Sequence, residues 1–242
     1  MKSISDIYQY KAVVWDLDGT LYFQKKLRFI MACELLKYYL SHPSRIRELL
    51  AIKRFRKIRE KWEEIAPGSE TRAALGSELQ AASEDGTEEK PVSLEDAQYE
   101  YTASVLGMKS EDVKRAVEQW MYEKPLQFLR SCRDEKAAEL FSGLKQKGIP
   151  CYIFSDYPIE DKLKALELFS DGNYAATDPK VSALKPDPKG LLLILSEHSL
   201  EPSEVLMIGD RDSRDGEAAR RAGCDYVILS RSKKKRNIQY NL

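Results

Sequence analysis

Five short apolar runs, set among helical patterns, constrain this chain more than any other feature. Ala12-Val13-Val14 lies near the start. After Asp134 come Cys151-Tyr152-Ile153-Phe154, a shorter stretch near Tyr174 to Ala176, Val205-Leu206-Met207-Ile208 and Tyr226-Val227-Ile228-Leu229. Runs of this length, rich in β-branched and aromatic residues, predict strands. Helical segments separate them: Asp134 to Lys147 stopped by Gly148, one ending near Phe169, one through Leu195, and one from about Asp215 to Ala222 closed by Gly223. Strands alternating with helices specify an α/β fold with a doubly wound, mostly parallel sheet.

The first strand is far in sequence from the others. Residues 1–23 and 130–242 therefore form the core, and 24–129 is an inserted α-helical block. Within the block, Leu27 to Leu40 predicts one helix, and His42-Pro43-Ser44 interrupts it with Ser44 placed to cap the next. In that second helix Ile46, Leu49, Leu50, Phe55, Ile58 and Trp62 recur at helical spacing, and the Arg and Lys residues of 45–61 predict a solvated face. Residues 67–91 dissolve into Gly, Ser, Ala and acids, the composition of a mobile loop. Ser93-Leu94-Glu95-Asp96 then opens a helix ending near Gly107, and Ser110-Glu111-Asp112 opens one to about Tyr122. Tyr38, Tyr39, Tyr99, Tyr101, Trp62 and Trp120 are expected in the core of the block.

Charge and cysteine usage narrow the setting. Lys+Arg and Asp+Glu number 39 each, so no global field favours a nucleic acid or a membrane surface. Arg231 to Arg236 is locally basic and reads as a flexible solvated tail. Cys33, Cys132, Cys151 and Cys224 contain no C-x-x-C pair, which suits reduced thiols in a cytoplasmic protein. The first twenty residues lack a signal-peptide pattern, and Leu191 to Leu195 is too short to span a bilayer. His42 and His198 lie outside every motif described below.

Polar residues gather where the strands end. Val14 leads into Trp15-Asp16-Leu17-Asp18-Gly19-Thr20. Asp16 and Asp18 stand two apart and would share a face on an ideal strand. Carboxylates held that close repel unless a cation or a shared proton relieves them. The competing reading is an Asp-rich turn closed by Gly19, with Thr20 capping a helix. Ser155 ends another strand, Gly209-Asp210 ends a third, and Lys185-Pro186 lies on a loop between them. In a parallel sheet all of these strand ends emerge at one edge, where ligands bind.

In this order the residues resemble the haloacid dehalogenase (HAD) superfamily. The first motif stands at Asp16 to Thr20, the second at Ser155, the third at Lys185-Pro186, and the fourth at Gly209-Asp210 with Asp215 five residues on. The resemblance implies a Rossmann-like core with a helical cap inserted after the first motif. It makes Asp16 the nucleophile that forms an aspartyl-phosphate and Asp18 the general acid/base. Its neighbour's charge and partial burial are expected to let Asp18 hold a proton. Ser155, with the main chain of Asp156, would bind a phosphoryl oxygen, and Lys185 would bring positive charge to the phosphate and to Asp16. The implied cofactor is Mg2+, held by Asp16, the main-chain carbonyl of Asp18 and Asp210, with Asp215 ligating directly or through water. Asp212 competes with Asp215, which the spacing and the helix start favour.

Within the family this chain resembles, the acid at position 18 implies phosphatase or phosphomutase chemistry, because relatives that dehalogenate lack it. The expected activity is hydrolysis of a small phosphorylated metabolite, as in phosphoglycolate phosphatases, nucleotidases or sugar phosphatases. A phosphomutase is the alternative, as is a protein whose helical insertion serves mainly partner binding. Either a monomer or a homodimer accommodates these readings.

Overall fold

The strands form because their residues bury both faces at once. In β1 (Ala12–Trp15), Val13 and Trp15 face one side and Ala12 and Val14 the other, and all four are fully buried. β2 (Cys151–Ser155), β3 (Gly172–Ala175), β4 (Val205–Gly209) and β5 (Asp225–Ile228) complete a parallel sheet in the order β3-β2-β1-β4-β5. Val13 pairs with Cys151 on one side of β1 and with Leu206 on the other. One face of the sheet packs Phe141 and Leu144 of the Glu135–Gln146 helix against Trp15 and Ile153. The other packs Leu191 and Ile194 of the Lys189–Glu197 helix against Val14 and Phe154. Each fully buried Leu, Ile or Phe contributes about 1.5–3 kcal/mol. The α/β reading therefore holds, with apolar layers on both faces as a parallel sheet requires.

The computed structural model describes residues 4–65 and 93–240, so the loop expected at 67–91 lies outside the described residues. No helix among the described residues is long and apolar enough to cross a membrane.

The helical insert leaves and rejoins the core through two adjacent segments. Phe23 N donates to Cys132 O at 2.8 Å, Asp134 N donates to Leu21 O at 3.0 Å, and Tyr22 bridges Arg133. The first insert helix is Gln24–Ser41. A 3-10 turn, Pro43–Arg45, then occupies the place expected for a Ser44 cap, and the next helix, Arg47–Glu60, starts with no side-chain cap. Its buried face also differs from the expected stripe. Ala51, Ile52, Phe55, Ile58, Glu48 and Arg59 turn inward, whereas Ile46 and Leu50 are 50% and 57% exposed. Phe55 stacks on Tyr99 at 5.0 Å, and that pair anchors the insert's own small core. Ser93 caps the Leu94–Leu106 helix by accepting from Asp96 N, and Gly107 ends it in the left-handed conformation.

Three further expectations need correction. The helix after β2 is Glu160–Leu166 and stops short of Phe169, which is 77% exposed. The segment expected to be helical from Asp215 opens earlier, as a π-helical turn, Asp212–Gly216, before Glu217–Ala222. The basic run at 231–236 is not a solvated tail. It leads into a helix, Lys233–Gln239, whose Arg236 is buried.

Candidate active site

The order of the sheet locates the site before any side chain is considered. The chain builds outward from β1 through β2 to β3, then crosses to β4 on the other side of β1. Such a switch point opens a crevice at the carboxyl ends of the two diverging strands. Asp16 follows β1 and Asp210 follows β4, so the crevice begins with two carboxylates. Asp215 joins them from the π-helical turn, a device that commonly redirects a functional residue. Asp16, Asp210 and Asp215 each offer a carboxylate oxygen, and these oxygens lie within 4.8 Å of one another.

Close approach explains two glycines. At Gly19, with φ +100°, a Cβ would meet Asp210 Oδ2 at 2.7 Å. At Gly209 a Cβ would meet that of Asp215 at 2.3 Å. Larger residues would push the carboxylates apart.

Lys185 is the buried cation of the cluster. Its Nζ donates to Asp16 Oδ1 at 2.5 Å, Asp215 Oδ1 at 2.6 Å and Phe154 O at 3.2 Å. Burial works against its charge, but Asp16 and Asp215 outweigh burial and hold its pKa well above the ordinary lysine value. One ammonium does not balance three carboxylates. Burial first, then Asp215, push Asp16 up to about 8 despite Lys185. Asp16 Oδ2 also accepts from Thr20 Oγ1 at 2.8 Å. Asp215 Oδ2 accepts from the main-chain amides of Asp210 and Arg211 at 3.1 and 2.9 Å. Asp212 instead faces Arg220, at 3.0 Å, outside the cluster.

Asp18 departs from expectation. Lys162 Nζ donates to both of its oxygens, at 2.7 and 2.8 Å, and the Tyr22 hydroxyl and Ser155 Oγ donate to it as well. Burial alone would raise its pKa, yet Lys162 and Tyr22 more than offset burial, and the carboxyl sits below its ordinary value. Asp18 is thus clasped as an anion, contrary to the expected ease of holding a proton. Ser155 is placed beside Asp18 by the end of β2 and accepts from Tyr157 N at 3.1 Å. The Asp156 carboxylate does not face the carboxylate cluster. It accepts from Lys185 N at 2.8 Å and Arg211 Nη2 at 3.2 Å, and so ties the Lys185 loop to the turn after β4.

The motif residues converge, but five important neighbours lie outside every motif. Lys162 and Tyr22 hold Asp18. Arg231, from the supposed tail, donates to Asp210 Oδ2 at 2.9 Å. Arg236 donates to the main-chain oxygens of Gly19 and Thr20 at 2.7 and 3.1 Å, and so braces the turn that carries Asp18. The insert contributes Arg59, which is buried, donates to Asp156 O and lies over Tyr157 at 4.5 Å. The expected solvated face therefore turns one of its cations inward, where Gln98 and Glu95 also accept from it at 3.0 Å.

Comparison with known proteins agrees with this layout. A family model described as haloacid dehalogenase-like hydrolase matches residues 10–223. Phosphoglycolate phosphatase of Escherichia coli is 29% identical over 96 residues, and N-acetylmuramic acid 6-phosphate phosphatase of Pseudomonas aeruginosa is 33% identical over 88. These matches span 38% and 35% of this chain and 38% of each relative's length. In structure, 2-haloacid dehalogenase from Pseudomonas syringae superposes with a TM-score of 0.57 at 17% identity, covering 91% of this chain and 86% of that one. The structural likeness is one of fold.

Proposed function

The chain belongs to the haloacid dehalogenase-like hydrolases, and from that membership we propose that it is a magnesium-dependent phosphatase acting on a small phosphomonoester. The observation that carries this reading is the carboxylate trio of Asp16, Asp210 and Asp215 gathered around Lys185. The partial matches to two phosphatases support it.

The donor set suits a hard cation. It offers oxygen donors only, and Asp210 Oδ1 is a buried acceptor without a hydrogen bond. Asp16, Asp210 and the Asp18 carbonyl would hold Mg2+. Asp215, whose Oδ2 accepts from two main-chain amides, would ligate directly or through water. When bound, the ion supplies positive charge against the phosphoryl oxygens.

This chain's residues then divide the reaction into two displacements. An Asp16 oxygen attacks phosphorus, the bond to the alcohol oxygen breaks, and the departing oxygen takes a proton from Asp18. Water next attacks the aspartyl-phosphate, gives its proton to Asp18, and releases inorganic phosphate from Asp16. Ser155 and the Asp156 amide orient a phosphoryl oxygen, and Lys185 holds Asp16 in line. An ionised Asp18 is the form that the second displacement needs. The first needs it protonated, so the Lys162 and Tyr22 clasp has to loosen as substrate enters.

Asp16→Asn is expected to lower turnover of an aryl phosphate by at least about a thousandfold with the circular-dichroism spectrum unchanged. Removing magnesium with a chelator gives a similar loss, restored on adding it back. A rate within tenfold of wild type in Asp16→Asn would refute the reading.

A further inference from the structure

A cavity of about 190 Å³ opens beside Asp18 and Lys162, between the core and the insert. Its lining includes neither Asp16 nor Asp210 nor Asp215. Because Asp18 serves the leaving oxygen, a space that borders Asp18 and not the carboxylate trio lies on the alcohol side of the phosphate. Part of its wall is apolar and buried, formed by Leu27, Met31, Ile52, Trp120 and Leu129, and Gln24, Tyr122 and Tyr157 add polar groups. An apolar cavity of about 150 Å³ takes up benzene, so this one has room for a single ring or a chain of similar bulk.

The rim has the opposite character. Arg28 and Arg56 both line the cavity and both are exposed, which sets them where it meets solvent. They lie near enough for each charge to act on the other. Among the described residues neither guanidinium has a carboxylate within ion-pair distance, although this surface is rich in such pairs. The acids of the lining are Asp18, which Lys162 occupies, and Glu60, whose charge reaches Arg56 without forming an ion pair. Two like charges on one rim with no ion-paired acid repel, and an anion between them would relieve that repulsion.

We propose that this cavity receives the alcohol half of the substrate, and that the alcohol is a compact apolar body bearing a second acidic group, which Arg28 and Arg56 bind at the rim. The proposal rests on the phosphatase reading for the position of the phosphate. A carboxylate and a second phosphate share the chemistry the arginines recognise. The apolar part of the wall sets this substrate class apart from small, wholly polar phosphates.

Turnover and binding test it separately, using full-length protein. For turnover, the probes are phenyl phosphate (ring without acid), phosphoglycolate (acid without ring) and 4-carboxyphenyl phosphate (both). The expected kcat/KM for 4-carboxyphenyl phosphate exceeds each of the others by at least tenfold. In Arg28→Gln and Arg56→Gln the ratio of 4-carboxyphenyl to phenyl phosphate falls toward one. For binding, calorimetry with benzylphosphonate, 4-carboxybenzylphosphonate and its 4-phosphonomethyl counterpart is expected to show at least tenfold tighter binding of one or both acidic compounds. Which of the two gains more tells carboxylate from phosphate. A ratio near one in wild type, or one that survives both substitutions, overturns the proposal, as does preference for phosphoglycolate. If no phosphate ester is turned over yet the acidic phosphonates bind tenfold tighter through Arg28 and Arg56, the cavity assignment stands and the phosphatase reading falls.

Discussion

At the level of single residues, the site rests on charges that are each tolerable only in company. Lys162 and Asp18 are both almost fully shielded, with side chains 10% and 12% exposed. Removing one partner of such a pair leaves the other as an uncompensated charge and costs about 3 kcal/mol. Lys162→Met is therefore expected to destabilise the protein by about that amount, and Asp18→Asn combined with Lys162→Met by clearly less. The pH dependence follows from the lowered pKa of Asp18 in the folded state. A folded chain that binds this proton more weakly than the unfolded one gains stability above the ordinary carboxylate value, 3.8, and loses it as pH falls through the folded value. The cost of Lys162→Met, measured by denaturant unfolding, should thus be largest at neutral pH and shrink as the pH falls and Asp18 takes up its proton. A cost independent of pH would mean that Lys162 acts through packing alone. None of this was legible beforehand. Lys162 sits in Glu160-Asp161-Lys162-Leu163-Lys164, where its spacing resembles that of any solvated helix lysine.

Whole elements show where sequence reading succeeds and where it fails. β1, β2 and β4 are legible because continuous apolar runs have few other fates, and the motif residues end them or follow directly. The Arg47–Glu60 helix was legible as a helix but only partly in its facing, since Phe55 and Ile58 are buried as expected. Ile46 and Leu50 fit the period, yet the cluster around Trp120 took in Ile52, and Glu95 and Gln98 drew Arg59 inward instead. The Lys233–Gln239 helix was missed altogether, because a run of cations gives no local sign that one of them is buried. Arg236 donates to Gly19 O and Thr20 O, and also pairs with Asp134 at 3.2 Å. Asp134 in turn caps the helix that follows the insert. This one guanidinium thus ties together the turn after β1, the insert's exit and the C-terminal helix. Arg236→Met strands those acceptors in the interior and should cost about 3 kcal/mol. Arg236→Lys should recover less than half of the loss, because an ammonium cannot reproduce the planar fork. Thermal unfolding of the two variants measures this. Equal stability of wild type and Arg236→Met would leave the helix without the bracing role.

For the molecule as a whole, the parallel topology that makes the sheet stable also concentrates negative charge at one edge. Three carboxylates within 4.8 Å, with Lys185 buried among them, are a cost that packing elsewhere has to carry. Arg231 on Asp210 offsets part of it from the rim. A cation that binds this edge only in the folded chain adds RT ln(1 + [L]/Kd) to stability, about 2.7 kcal/mol at a concentration one hundred times Kd. For a chain of this size that corresponds to a rise in Tm of about 5–10 °C. Metal-stripped protein is therefore expected to melt progressively later as magnesium is added, with the rise linear in log concentration once past Kd. Asp210→Asn removes one of the proposed ligands and one of the repelling charges together. It should keep the metal-free Tm near or above that of wild type while abolishing most of the response to magnesium. The two effects have opposite signs only if Asp210 pairs with the ion and opposes its neighbours. If Asp210→Asn lowers the metal-free Tm and leaves the magnesium response intact, Asp210 serves to anchor Arg231, and the cation site has to be sought elsewhere.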